Sequence, residues 1–456
     1  MTGIVSFLFS WTYYYVLPLI HRVTVGSISS LSRTWIGNIL AFVWNWTGGW
    51  FSWTRQSDSM LRNAEQIILS CVKTAYKRFY VDIGSVVGQS DKIWTISLND
   101  ESKKTPLVML HGMGAGVALW CPNLDALAAT RPVYAMDLLG FGRSSRPKFA
   151  SDADKVEAQW VESVEQWRRE VQLEDFVLLG HSLGGYIATA YALRYPERVR
   201  LLILADPWGF AERPSNVYEK YQVPLWVRAV AAAVQPLNPL WAVRAAGPAG
   251  RWLVSRTRPD IPRKYAAYVP DALAVVPDYI YQCNSRTPSG ESAFHTLMHG
   301  FGWAKNPMVR RAAQLDPELP ICVLYGSRSW VDNGTGQLLA DNRASPKTVV
   351  QVINGAGHHV YLDKPELFNK HVLDACEMAD DTPSRVPTNR PAAADNKPSA
   401  ADNKPAAADN RPSATDNQPA AADSRPSAPD NRPAAADNKP EAADNRPTDN
   451  INGQMS

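Results

Sequence analysis

The residues most clearly able to do chemistry are Gly180-His181-Ser182-Leu183-Gly184. A serine hydroxyl is a weak nucleophile until a neighbouring base takes its proton. The run FVLLGHSLGGYIATAYAL puts an apolar strand before Ser182 and a helix after it, the context a nucleophile elbow requires. Side chains at 180 and 184 would crowd such a sharp turn, so glycine there lets the hydroxyl rise above the sheet edge. The base is expected in Asn354-Gly355-Ala356-Gly357-His358-His359, directly after the strand-like TVVQVI. A neutral imidazole there can take the serine proton and return it to the leaving group. The Gly-x-Gly-His frame favours His358, with His359 as the competitor.

The third partner, an acid, should fall between serine and histidine in chain order. In many such folds it lies three residues after the glycine ending the preceding strand. Here that glycine is Gly326 and the position holds Ser329, so Asp332 in GSRSWVDNGTG is the choice and Asp206, after RLLILA, the alternative. Asp332-Asn333-Gly334 also reads simply as a turn. His111-Gly112-Met113-Gly114 follows the strand PLVML. Backbone N–H groups of Met113 and Leu183 could therefore meet a developing oxyanion, each typically worth about 3 kcal/mol of barrier. Asp137 to Ser144, DLLGFGRS, reads as a structural loop near this site. His295 and His299 lie four apart, but without further ligands they make no metal site, and no cofactor is implied.

The elements that must position these residues are short apolar runs: WTISL, PLVMLHG, PVYAMDLLG, FVLLGHS, RLLILAD, ICVLYG and TVVQVI. Helical patterns such as VEAQWVESVEQWRREV separate most of them. Strands alternating with helices indicate an α/β fold with a mostly parallel central sheet and helices on both faces. DSMLRNAEQIILSCVKTAYKRFY carries apolar residues at helical spacing and is expected to be one helix. The stretch of about 211–315, rich in Trp, Pro and Ala, interrupts the rhythm and reads as a helical cap.

Three regions follow from composition. The folded domain that carries the serine and histidine is expected over residues 56–379. Residues 1–55 hold six of the sixteen tryptophans, and no charged side chain precedes Arg22. Both apolar stretches there are broken by polar residues, Gly or Pro, and fall short of the roughly 20 apolar residues a span needs. Trp and Tyr favour the water–lipid boundary, so this segment reads as an interfacial anchor, with packing on the domain or a membrane span as the other readings. Residues 380–456 repeat a seven-residue unit such as DNKPAAA. It lacks large apolar residues at coiled-coil positions, carries a proline in each unit, and is expected to be a disordered spacer. The net charge of +3 with no basic stripe argues against a nucleic-acid partner. Five scattered cysteines without CxxC spacing indicate neither a disulfide framework nor zinc and fit a reducing compartment.

PLVMLHGMGAGVALW, DLLGFGRSSRP, GHSLGGYIATAYALRYPERV, ADPWGF, HGFGWAKNPM, YGSRSWVD and GAGHHVYLDKPELFN together resemble the α/β-hydrolase domain-containing 4 and 5 group, over roughly residues 44 to 378. The resemblance implies an α/β-hydrolase fold and lipid substrates. One branch is a lysophospholipase acting on N-acyl phosphatidylethanolamines. The other is a lipid-droplet protein that activates a triacylglycerol lipase and is associated with acyl transfer to lysophosphatidic acid. That branch typically has Asn at the nucleophile, where this chain has Ser182. Arg328-Ser329 and Gly357 nevertheless resemble the activator branch, as does the Trp-rich run, which implies a droplet or endoplasmic-reticulum surface. The group's H-x4-D acyltransferase motif matches His358 and Asp363. Asp363 stands before Lys364-Pro365-Glu366, so it also reads as the N-cap of the last helix.

Overall fold

The structure, a computed structural model, describes residues 57–216, 240–300, 302–343 and 348–381, with 224, 228, 238 and 384–386. The Trp-rich anchor expected at the N-terminus and the seven-residue repeat lie outside the described residues.

Eight strands form one sheet: β1 (Tyr76–Gly84), β2 (Asp91–Leu98), β3 (Leu107–Leu110), β4 (Val133–Met136), β5 (Phe176–His181), β6 (Val199–Ala205), β7 (Ile321–Gly326) and β8 (Thr348–Ile353). Their order is β1-β2-β4-β3-β5-β6-β7-β8. β2 runs antiparallel to both β1 and β4, and every pairing from β4 to β8 is parallel. The central strands read as unbroken apolar runs because both faces are covered. In β3, Leu107 and Met109 join one core while Val108 and Leu110 join the other.

The helices are α1 (Ser57–Leu69), α2 (Cys121–Ala128), α3 (Ala153–Glu170), α4 (Leu183–Arg194), α5 (Trp241–Ala245), α6 (Gly250–Thr257), α7 (Asp260–Tyr265), α8 (Ala272–Ser285), α9 (Ser289–Leu297), α10 (Gly334–Arg343), α11 (Val360–Asp363) and α12 (Pro365–Asp380). Residues of α1, α2, α8 and α12 fill one core, and residues of α3, α4, α9 and α10 the other. Helices α5 to α9 lie between β6 and β7 and form the described part of the cap.

The single helix expected over 58–80 is two elements. Helix α1 stops at Leu69 and β1 begins at Tyr76. The break is fixed from outside the segment, since the Lys73 and Thr74 N–H groups donate to the Asp125 carboxylate at 2.8–3.0 Å. Beyond it, YKRFYVDIG is rich in aromatic and β-branched residues, and its pairing with β2 over Tyr76 to Gly84 overrides the helical spacing. Among the described residues no helix is long and apolar enough to cross a membrane.

Candidate active site

Strand β5 ends at His181, and Ser182 takes φ 53° and ψ −116° before α4 begins. Positive φ is costly for a side-chain-bearing residue. The turn is held by Ser182 N–H donating to Ala205 O at 3.1 Å and Trp208 N–H donating to Ser182 O at 3.1 Å. Glycine is needed around it: a Cβ at Gly180 would sit 2.3 Å from Gly184 O, and one at Gly184 the same distance from Leu110 O.

His358 lies in the loop beyond β8. Its Nε2 is 3.0 Å from Ser182 Oγ, and its Nδ1 is 2.6 Å from Asp206 Oδ2. The acid is therefore Asp206, at the end of β6, and not Asp332. Asp332 is exposed, and its Oδ1 accepts the Gly334 N–H at 3.0 Å, ahead of α10. That is the turn role its Asp-Asn-Gly setting suggested. Asp206 is fully buried. It also accepts the Gly326 N–H at 3.1 Å and the Ser329 hydroxyl. Ser329, standing where an acid was sought, thus donates to an acid delivered by the neighbouring strand. Asp206 also has positive φ, at 46°, a strain that no residue pattern announces.

The oxyanion candidates sit on either side of the nucleophile. Leu183 opens α4, so its N–H has no carbonyl one helical turn back to bond. The Gly112–Met113 turn ends β3 beside it. A Cβ on Gly112 would come within 3.0 Å of Ser182 Cβ and 2.8 Å of His181 Nδ1. Thus only a bare backbone passes there, with the Met113 peptide next in line.

Three further histidines surround the pair, and sequence reasoning gave two of them no role. His111 Nδ1 donates to Gly112 O at 2.7 Å and its Nε2 accepts the Leu138 N–H at 3.0 Å, which fixes one neutral tautomer. Burial pushes its pKa down to about 4. His181, inside the elbow, donates from Nε2 to the His358 carbonyl at 2.9 Å, and burial drives its pKa well below the usual value. His359, the rival base, does not reach Ser182. Its ring lies 5.5 Å from that of His181, and burial, with Arg258 nearby, also depresses its pKa strongly. Neutral neighbours leave His358 as the ring in line between Ser182 Oγ and a carboxylate.

Asp363 is not the N-cap of α12. No side chain caps that helix, whose flanking residue is Lys364. Instead Asp363 Oδ2 accepts the Gly357 N–H at 2.5 Å, one residue before His358, and its other oxygen pairs with Lys264 of the cap. Arg328 N–H donates to Ala356 O at 2.8 Å and its guanidinium donates to Gly355 O, so Arg328 and Gly357 flank one turn below His358. His299 Nε2 accepts from the Arg213 guanidinium at 3.1 Å. Among the described residues no group of three metal-binding side chains gathers.

The DLLGFGRS loop buttresses the site from β4. Asp137 Oδ1 accepts the Val117 N–H and Oδ2 the Arg143 N–H, both at 2.8 Å. A Cβ on Gly142 would lie 2.1 Å from that carboxylate. Glu65 of α1 bonds Arg143 at 2.9 Å and the Trp94 indole at 3.1 Å. Burial lifts Asp137 to about 6, and burial with the Asp137 charge lifts Glu65 to about 7.

A family described as alpha/beta hydrolase fold matches residues 105–365. The chain belongs to the α/β-hydrolase family. Over 327 residues it is 48% identical to the mouse (Mus musculus) 1-acylglycerol-3-phosphate O-acyltransferase ABHD5, covering 71% of this chain and 91% of that protein. Over 325 residues it is 45% identical to the human (Homo sapiens) (lyso)-N-acylphosphatidylethanolamine lipase, covering 71% and 93%. Among solved structures, a bacterial membrane phospholipase A aligns with TM-score 0.50 at 21% identity, over 77% of this chain and all of that one. Carboxylesterase CesB from Bacillus subtilis aligns with the same score at 20% identity, over 70% and 98%. The two structural likenesses speak for the fold alone. As an α/β-hydrolase with serine, imidazole and carboxylate in line, the chain is a hydrolase.

Proposed function

We propose that this hydrolase cleaves acyl esters of phospholipids or lysophospholipids through an acyl-Ser182 intermediate. The observation that carries the reading is the continuous line Ser182 Oγ–His358 Nε2, His358 Nδ1–Asp206 at 3.0 and 2.6 Å. Asp206 accepts a hydrogen bond from Nδ1–H, which keeps Nε2 unprotonated and free to act as base. Ser182 Oγ attacks the ester carbonyl as its proton passes to His358. The carbonyl oxygen gains negative charge facing the Met113 and Leu183 N–H groups. Collapse expels the alcohol, which takes the proton from His358. Water then attacks the acyl-serine by the same route and releases the fatty acid. A lysophosphatidate hydroxyl in place of water would make the same acyl-enzyme an acyltransferase, the activity named for the mouse relative.

The lipid class is supported by the two relatives, whose names both refer to acylated glycerophospholipids. Fluorophosphonate should label the wild type and not Ser182→Ala, and purified wild type should release fatty acid from lysophospholipid vesicles. Labelling that persists in Ser182→Ala ends the proposal.

A second reading, activation of a triacylglycerol lipase on droplets, is favoured by Arg328 bonded into the turn that carries Gly357. It requires no nucleophile, so Ser182→Ala protein added to a lipase assay should activate fully if it holds. For location we propose the cytosolic face of lipid droplets or of the endoplasmic reticulum, through the Trp-rich residues 1–55. Chain lacking them should leave the membrane and droplet fractions, and retention would reject the anchor.

A further inference from the structure

Helix α7 of the cap touches the catalytic floor at two adjacent residues. The Tyr265 hydroxyl donates to Leu119 O at 2.5 Å, in the turn (Val117–Trp120) that follows the Gly112–Met113 oxyanion candidate. Lys264, next to it, pairs with Asp363. Asp363 is only 7% exposed, and its second oxygen holds the Gly357 N–H. Gly357 packs closely on two sides: a Cβ there would lie 3.1 Å from Asp363 Oδ2, and a Cβ on Gly326 would lie 2.2 Å from Gly357 O. From the other side His181 holds the His358 carbonyl. The peptide carrying the base is thus gripped from β5, from β7 and, through one ion pair, from the cap.

We propose that Lys264 and Asp363 form a positioning latch, through which a seated cap holds the His358 loop at proton-transfer distance from Ser182. The inference rests on the hydrolase reading of that triad and adds two residues to it. It also gives the H-x4-D spacing a mechanical meaning. After His359 the chain forms one short helix, α11, which ends at Asp363 and turns its carboxylate back onto the Gly357 N–H, one residue before His358. A buried carboxylate that loses its cation carries an uncompensated charge, so releasing the cap would loosen the loop. Binding of an acyl chain beneath the cap would then be coupled to the geometry of the base.

The charged groups about Lys264 are Asp363 and, at 3.7 Å, Asp260, itself bonded to Arg258. Those about His358 are Asp206 and the neutral His181 and His359. Lys264→Met leaves the Asp363 carboxylate without its cation while it still holds the Gly357 N–H. With p-nitrophenyl butyrate as substrate, kcat is expected to fall about tenfold with KM nearly unchanged. Lys264→Arg should restore kcat. Amide hydrogen exchange of residues 354–363 should quicken in Lys264→Met and in Asp363→Asn, a readout independent of turnover. Unchanged exchange in Lys264→Met overturns the latch while leaving the triad standing. A lower melting temperature with kcat unchanged also overturns it, reducing the pair to a structural contact. Quickened exchange in Lys264→Met, beside a wild type that never turns over the ester, sinks the hydrolase reading and keeps the latch.

Discussion

Two buried carboxylates stand just past the ends of two strands of the parallel part of the sheet, β4 and β6, and only one of them faces chemistry. Asp137, after β4, is fully buried and spends both oxygens on the backbone N–H groups of Val117 and Arg143. Asp206, after β6, is equally buried, but one oxygen takes an imidazole whose far nitrogen meets a hydroxyl. Burial and hydrogen-bond satisfaction do not separate a structural acid from a working one. What separates them is whether one donor can pass a proton onward.

The comparison is broken most severely at Asp206. Asp206→Asn should present an amide N–H, or the wrong tautomer partner, to His358 and lower kcat by about 10⁴-fold, the scale known for a triad acid. Asp332→Asn should stay near wild type in the same ester assay. An Asp206→Asn enzyme of normal rate would return the acid role to another residue. Gly112→Ala comes next. Its Cβ meets Ser182 and His181, displacing the Met113 peptide, and esterase activity should drop about 10²-fold, as for loss of an oxyanion donor. Ser329→Ala removes a hydroxyl donor to the Asp206 charge, and a decrease of roughly tenfold in kcat is expected, in line with about 1.5–3 kcal/mol for a bond to a charged group. Retention of full activity would show that Gly326 and His358 suffice to hold the acid.

The structural cluster is tested by stability and not by rate. Glu65, raised to about 7 by burial, binds its proton more tightly folded than unfolded. Its contribution is therefore complete below about pH 4.5 and is lost as pH rises through 7, a linkage effect. Between pH 5 and 7.5 the melting temperature of the wild type should fall relative to that of Glu65→Gln. Parallel curves would show that Arg143 and Arg78 already neutralise this carboxylate. Ester turnover should be little altered, in contrast with Asp206→Asn.

Much of this was legible in the residues. Ser182 announced itself because the elbow needs glycines at fixed offsets, and His358 because its loop follows the last strand. The parallel sheet was visible because its strands are buried on both faces. The acid was not legible, for a geometric reason. The ends of β6 and β7 lie side by side, Ala205 paired with Leu324, so either strand can bring a side chain to the same point beside His358. Chain order admits both, and only the backbone of Asp206, at positive φ, settles which one arrives. The helix overrun from Leu69 to Tyr80 has a similar origin, since its stop comes from Asp125, some fifty residues further along the chain. The positioning role of His181 left no trace because its partner is a carbonyl 177 residues away.

The seam between Ser182, Ala205 and Trp208 has a consequence for how such an enzyme can change. Nucleophile and acid are stitched to each other by main chain alone, across Asp206 itself. A different roof over the site, a longer lipid beneath it, or a docked protein beside it alters which molecules enter. None of these requires the spacing of hydroxyl and carboxylate to be rebuilt, so substrate choice can wander while the cutting edge stays set.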